Sequence, residues 1–163
     1  MAAGLRLEEI SVLVVEDDAF TRNLIVSILR GLCVRSITEA EGAGPALEKL
    51  SEQPVDVILS DIQMAQVNGI EFLRHLRSGT RPAGVVPPRA QPSQTPFIFL
   101  TAHASAKLVE MARAAGVSAF LTKPIRPALL RDRLVQIAAT LRQADPIGGL
   151  ERQDQPGRVD LPA

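Results

Sequence analysis

Five short strand-like segments, four of them predominantly apolar and each followed by a segment of helical spacing, constrain this 163-residue chain more than any other feature. Val12-Leu13-Val14-Val15 is wholly apolar and mostly β-branched, and it stops abruptly at Glu16-Asp17-Asp18. A run that is apolar at every position suits a strand covered on both faces, as in a parallel sheet. The next segment, Ala19 to Gly31, places Phe20, Leu24, Ile28 and Leu32 at helical spacing, with Asp18 as N-cap and Gly31 as stop. The unit then recurs. A strand near Val34 to Thr38 precedes a helix from Ala43 to Leu50, and Val55 to Ser60 precedes a helix from Gly69 to Ser78. Phe97 to Leu100 precedes a helix from Ser105 to Ala115, and Ala119 to Thr122 precedes one from Pro127 to about Arg142.

Five strands alternating with five helices predict an α/β domain with a parallel sheet and right-handed crossovers. In such sheets the functional crevice lies beyond the carboxyl ends of the strands, so the residues that close each run belong together. Glu16 and Asp17 close the first run, Asp61 the third, Thr101 the fourth and Lys123-Pro124 the fifth. Crowded carboxylates repel, and one is pushed toward protonation unless a cation intervenes. Hard oxygen ligands with room for water favour Mg²⁺. Taken singly, each residue has a plainer role. An acidic pair caps a helix, a lone Asp makes a turn, Thr101 caps the next helix and Lys123 is a surface lysine. Four strand ends that carry chemically complementary groups point instead to one site.

Composition removes other classes. A hydrophobic share of 46% with 22% charge belongs to a globular fold rather than a disordered chain. Eighteen basic residues balance eighteen acidic ones, which argues against a protein that coats nucleic acid or anionic membrane. All five aromatic residues are Phe, which leaves little for stacking on bases. The single cysteine, Cys33, permits neither an internal disulfide nor a zinc cluster and is expected as a small buried residue. Met1 to Glu9 has no signal-peptide core, and no apolar stretch approaches the roughly 20 residues of a membrane span. A cytoplasmic protein is expected.

Two segments fall outside the alternation. Residues 79–96 hold five of the twelve prolines and form a long loop before the fourth strand, on the side away from the crevice. Residues 144–163 are rich in Pro, Gly, Gln and Asp and are expected as a flexible C-terminal tail. Residues 1–143 make one domain.

The ordered motifs resemble those of the response-regulator receiver domains of two-component signalling. The marks are Val14-Val15-Glu16-Asp17, Leu59-Ser60-Asp61, Asn68-Gly69, Leu100-Thr101-Ala102 and Phe120-Leu121-Thr122-Lys123-Pro124, spread over about residues 10–143. No single piece is specific, whereas all of them in this order are. The resemblance implies a flavodoxin-like, doubly wound five-stranded sheet of order 2-1-3-4-5 with helices on both faces. It makes Asp61 the phosphoacceptor, attacking a phosphohistidine to form an acyl phosphate. Glu16, Asp17, Asp61 and the backbone carbonyl of Gln63 would hold Mg²⁺. Three consecutive acids leave the register open; the Val-Val lead-in and the Asp17-to-Asp61 spacing favour Glu16 and Asp17, with Asp18 as cap. Lys123 would pair with a phosphoryl oxygen and Thr101 would donate its hydroxyl to another. Phe120 stands at the aromatic position that turns inward after phosphorylation, with simple core packing as the alternative. Pro124 matches a position with a cis peptide bond.

Two departures matter. Ala65 stands where the family commonly has Pro, so the loop after Asp61 is expected to be less rigid. Gln63 and His103 occupy variable positions two residues beyond Asp61 and Thr101, where they would tune the lifetime of the phosphorylated state or simply face solvent. The resulting expectation is a single-domain response regulator, a switch rather than an enzyme. Its phosphoryl donor would be a sensor histidine kinase or a histidine phosphotransfer protein. Its output would be protein binding through the fourth helix, fifth strand and fifth helix, with Arg113, Arg131 and Arg133 supplying charge. A homodimer is compatible with this, and direct nucleic-acid or membrane contact is not expected. The competing readings are a pseudo-receiver that never takes phosphate and an Asp-nucleophile phosphatase. The latter fits poorly, because its Asp-x-Asp pair follows the first strand.

Overall fold

β-Branched and aromatic residues dominate the apolar runs, and in the computed structural model these runs form the strands. It describes residues 6–65, 67–79 and 94–144. After a short 3₁₀ turn at Leu7–Glu9 come β1 (Ser11–Val15), α1 (Ala19–Gly31), β2 (Ser36–Ala40), α2 (Ala43–Glu52) and β3 (Val57–Asp61). Then follow α3 (Gly69–Ser78), β4 (Phe97–Thr101), α4 (Ala106–Ala114), β5 (Ala119–Thr122) and α5 (Pro127–Ala144). The strands pair in parallel in the order β2-β1-β3-β4-β5. The expected doubly wound α/β fold is therefore the observed one. The proline-rich loop falls largely, and the expected tail almost wholly, outside the described residues.

Alternation along each buried strand divides the core in two. Val12 and Val14 of β1 face Ile25 and Leu29 of α1 and Leu130 and Leu134 of α5. Leu13 and Val15 face the opposite layer, with Leu50 of α2, Phe72 and Leu73 of α3 and Ala112 of α4. That second layer carries a file of edge-to-face rings, Phe72 to Phe97 at 5.6 Å, Phe97 to Phe99 at 4.9 Å and Phe99 to Phe120 at 6.3 Å between centroids.

Several boundaries differ from the sequence expectation. β2 begins at Ser36 rather than Val34, because its pairing with β1 runs from Ser11–Ser36 to Val15–Ala40. β3 begins at Val57, where its pairing with Val12 of β1 starts, and Asp56 just before it is bonded to Ser11. The Asp56 Oδ2 accepts from the Ser11 backbone N–H at 2.8 Å and from the Ser11 hydroxyl at 3.1 Å. α1 ends at Gly31 as expected, but with Gly31 as its last helical residue; the left-handed conformation (φ 69°) falls at Cys33, two residues later. Cys33 is accordingly exposed on that turn, not buried.

The stripe assigned to α1 is also corrected. Phe20 and Leu24 are 79% and 51% exposed, whereas Ile25, Val26 and Leu29 are buried. Residues four apart drift by about 40° per step on a helix, so this stripe crosses the face obliquely: Ile28 and Leu32 pack against the core while Phe20 and Leu24 run out to solvent. Among the described residues, no helix is long and apolar enough to cross a membrane.

Candidate functional site

The carboxyl ends of β1, β3, β4 and β5 deliver the chemically distinctive residues to one place. Glu16 directly follows β1, its backbone N–H donating to Ala40 at 3.0 Å, which directs its side chain into the fold with 2% exposure. Asp61 is the last residue of β3 rather than the first beyond it, and it too is buried. Thr101 ends β4 and is fully buried. Lys123 leaves β5 with its backbone N–H donating to the Thr101 carbonyl at 2.7 Å, and the Lys123–Pro124 peptide is cis. Gly69 opens α3 in a position where a side chain could not fit. A Cβ there would collide with the Asp61 carbonyl oxygen and approach Ile62 Cα to 2.9 Å.

Lys123 Nζ lies 3.1 Å from Glu16 Oε2 and 3.5 Å from Asp61 Oδ1. Asp17 remains exposed on the loop after β1, and its Oδ2 accepts from the Ala65 backbone N–H at 3.0 Å. One oxygen from each of Glu16, Asp17 and Asp61 lies within 4.8 Å of the others. Asp18 stands apart from this cluster. It caps α1, accepting from the Thr21 N–H at 2.8 Å and the Thr21 hydroxyl at 2.6 Å, and these bonds hold its carboxyl below the usual range.

Burial pushes the Glu16 carboxyl up; its hydrogen bond to Lys123 opposes this, and the charge of Asp61 adds to it. Burial likewise pushes Asp61 up, opposed by Lys123 and by the backbone N–H groups of Gln63 and Ile62. Three carboxylates against one ammonium leave a formal excess of two negative charges in a partly desolvated cleft. Such a donor set, all hard oxygen and short of positive charge, fits a divalent cation of the Mg²⁺ type.

Thr101 does not cap α4; Ser105 does, accepting from Leu108 N–H at 3.1 Å. The Thr101 hydroxyl is instead engaged with its own loop, donating to the His103 carbonyl and accepting from the His103 N–H, both at 3.2 Å. The side chains of Gln63 and His103 are exposed. Phe120 is half-buried and packs with Phe99 in the core beneath α4.

Two contributors escaped the sequence reading. Arg22 sends Nη1 to the Glu16 carbonyl at 2.9 Å, while Nε and Nη2 face Glu39 and Glu41 at 3.5 and 3.8 Å. It thereby ties the loop after β1 to the end of β2. A base in the first turn of a helix, where the dipole disfavours it, was the available signal. The other is the Ala65 N–H. The absence of proline at this position was visible, but the bond it permits was not.

The class follows from this architecture: a flavodoxin-like, doubly wound domain with a cation-compatible acidic cleft at the carboxyl edge of its sheet. The chain belongs to the response-regulator receiver-domain family, whose model matches residues 12–135. It is 29% identical over 129 residues to chemotaxis protein CheY1 of Helicobacter pylori, covering 78% of this chain and 96% of that protein. It is also 29% identical over 147 residues to the sensory/regulatory protein RpfC of Xanthomonas campestris, covering 85% of this chain but only 18% of that much longer protein. Among solved structures it resembles the receiver domain of the Pseudomonas aeruginosa sensor histidine kinase PA1611, which has a magnesium ion coordinated in its active-site cleft. The TM-score is 0.65 and the identity 27%, over 80% of this chain and 98% of that one. Receiver domains are signalling switches rather than conventional enzymes.

Proposed function

We propose that Asp61 accepts a phosphoryl group from the phosphohistidine of a sensor histidine kinase or histidine phosphotransfer protein. The observation that carries this reading is the convergence of Asp61 with Lys123 at 3.5 Å, inside the acidic cluster completed by Glu16 and Asp17. A carboxylate oxygen of Asp61 attacks phosphorus in line, forming the acyl P–O bond as the P–N bond breaks and the electron pair returns to the donor imidazole. The reaction asks for positioning and charge neutralisation more than for covalent chemistry from the surroundings. Mg²⁺, held by Glu16, Asp17, Asp61 and the Gln63 carbonyl, supplies part of that neutralisation when bound. Lys123 supplies the rest, moving from Asp61 to a phosphoryl oxygen while Glu16 keeps it in the cleft.

Phosphorylation then offers Thr101 a stronger acceptor than the His103 carbonyl it now bonds. Drawing its hydroxyl inward moves the loop before α4, and Phe120, on the neighbouring strand, follows. The surface of α4, β5 and α5 thereby reports the state of Asp61 to a partner protein. In this reading the chain works in the cytoplasm.

Incubation with Mg²⁺ and acetyl phosphate tests this directly. Intact mass spectrometry is expected to show one acid-labile phosphoryl group that is absent in Asp61→Asn. No incorporation into the wild-type chain would overturn the assignment in favour of a phosphate-independent interaction module.

A further inference from the structure

The structure assigns a role to a backbone group that side-chain chemistry overlooks: we propose that the Ala65 N–H is the positioning donor that sets Asp17 for cation binding. The proposal rests on the reading of the cluster as an Mg²⁺ site. Glu16 and Asp61 are each held from the side by Lys123, at 3.1 and 3.5 Å. Asp17 is the exposed member, on a loop, with free rotation about two side-chain bonds unless something restrains it. The restraint is the 3.0 Å bond from Ala65, 48 residues further along the chain.

Ala65 lies in a loop that is closed at its base. The loop leaves β3 immediately after Asp61, and it closes where the Gly69 N–H donates to the Ile62 carbonyl at 2.8 Å. Beside that closure, Asn68 Oδ1 accepts from the Ile70 N–H at 2.8 Å and caps α3. Asp17 is thus anchored to a segment that starts at Asp61, so two of the three carboxylates are set relative to one another by one short piece of backbone. A carboxylate offers about four acceptor positions, and one amide occupies only one of them. The bond therefore orients Asp17 without using up its capacity for a cation. Outer hydrogen bonds of this kind are worth roughly 10–100-fold in metal affinity. A proline at this position has no N–H and could not make the bond.

Titration of the full chain with MgCl₂ by isothermal calorimetry tests the proposal. Ala65→Pro, which removes the donor, is expected to weaken Mg²⁺ binding about tenfold. Ala65→Gly, which keeps the donor and loosens the backbone, is expected to stay near wild type. If backbone stiffness governed the site, the two variants would move the other way, proline tightening and glycine weakening. That result, or equal affinity in wild type and Ala65→Pro, overturns the proposal. A wild-type chain that binds no Mg²⁺ defeats the underlying reading instead. Amide exchange gives a readout that needs no proline: the Ala65 N–H is expected to be protected without Mg²⁺ and to lose protection in Asp17→Ala. Free exchange in the wild type would refute the contact itself.

Discussion

Lys123 Nζ and Glu16 Oε2 form a 3.1 Å ion pair across 107 residues of sequence, with the glutamate almost wholly out of solvent. The ammonium leans on Asp61 as well, at 3.5 Å. It is thus the counterion for two carboxyls that burial alone would drive toward protonation.

Replacing Lys123 by Met leaves both carboxyls without that partner. Removing one member of a buried hydrogen-bonded pair costs about 1–3 kcal/mol. Urea unfolding of metal-free Lys123→Met at neutral pH is expected to show a loss of this order. The loss shrinks at mildly acidic pH, where the orphaned carboxyls take up protons. Equal stability of variant and wild type at neutral pH would contradict the role given to the pair.

The raised carboxyls of Asp61 and Glu16 set the sign of a pH effect. Between the ordinary carboxylate range, about 4, and their raised folded values, the folded state binds more protons than the unfolded one. These two groups therefore favour the fold at low pH, and that advantage is lost as pH rises through the folded values. Asp18 acts with the opposite sign, its lowered carboxyl supporting the fold above the ordinary range and ceasing to do so as pH falls. Without metal at neutral pH, Asp61→Asn is expected to melt higher than wild type, by about 2–4 °C for each kcal/mol of relieved repulsion and desolvation. The gap should close on acidification. A lower midpoint for Asp61→Asn in EDTA would reverse the sign of the argument.

Gly69 and Gly31 predict opposite outcomes for the same substitution. A Cβ at Gly69 meets the Asp61 carbonyl oxygen, Ile62 Cα and the Phe99 ring, so Gly69→Ala is expected to cost about 1–3 kcal/mol. Nothing lies within 4 Å of a Cβ at Gly31, where Ala instead gains up to about 1 kcal/mol by restricting the unfolded chain. Chemical denaturation of the two variants side by side decides it, and a neutral Gly69→Ala would show that the loop after Asp61 yields freely.

Arg22 is expected to be worth about 1.5–3 kcal/mol, the range for a hydrogen bond to a charged group. Its fork faces the Glu16 carbonyl, Glu39 and Glu41 together. Lysine presents a single point of charge, so Arg22→Lys should fail to restore what Arg22→Met loses in thermal melting. Full rescue by lysine would reduce the role of Arg22 to charge alone.

Gln63 and His103 expose their side chains two residues beyond Asp61 and Thr101. With Asp61 phosphorylated, Gln63→Ala or His103→Ala should change the rate of phosphoryl loss by a factor of several. Identical decay in both variants would leave these side chains as ordinary surface groups.

Much of this was legible locally. The bounds of α1, α3 and β5 follow from spacing and caps, because Asp18 and Asn68 are polar groups placed where helix N–H groups need acceptors. Asp61, Thr101 and Lys123 could be grouped because strand ends in a parallel sheet must share an edge. The inward face of α1 was not legible. Phe20 and Leu24 carry the right chemistry for burial, yet Ile25, Val26 and Leu29 occupy it, since only the sheet beneath the helix selects its angle.

The chain's pattern alone was sufficient for the alternation of strand and helix, for the parallel sheet and for which residues reach its carboxyl edge. These depend on periodicities of a few residues. Tertiary structure decided the rest: that Lys123 pairs with Glu16, that Arg22 clasps the Glu16 carbonyl and that Ala65 holds Asp17. Contacts across loops and layers depend on crossover handedness and strand register, which bring distant segments within 3 to 4 Å, and no local spacing encodes that distance.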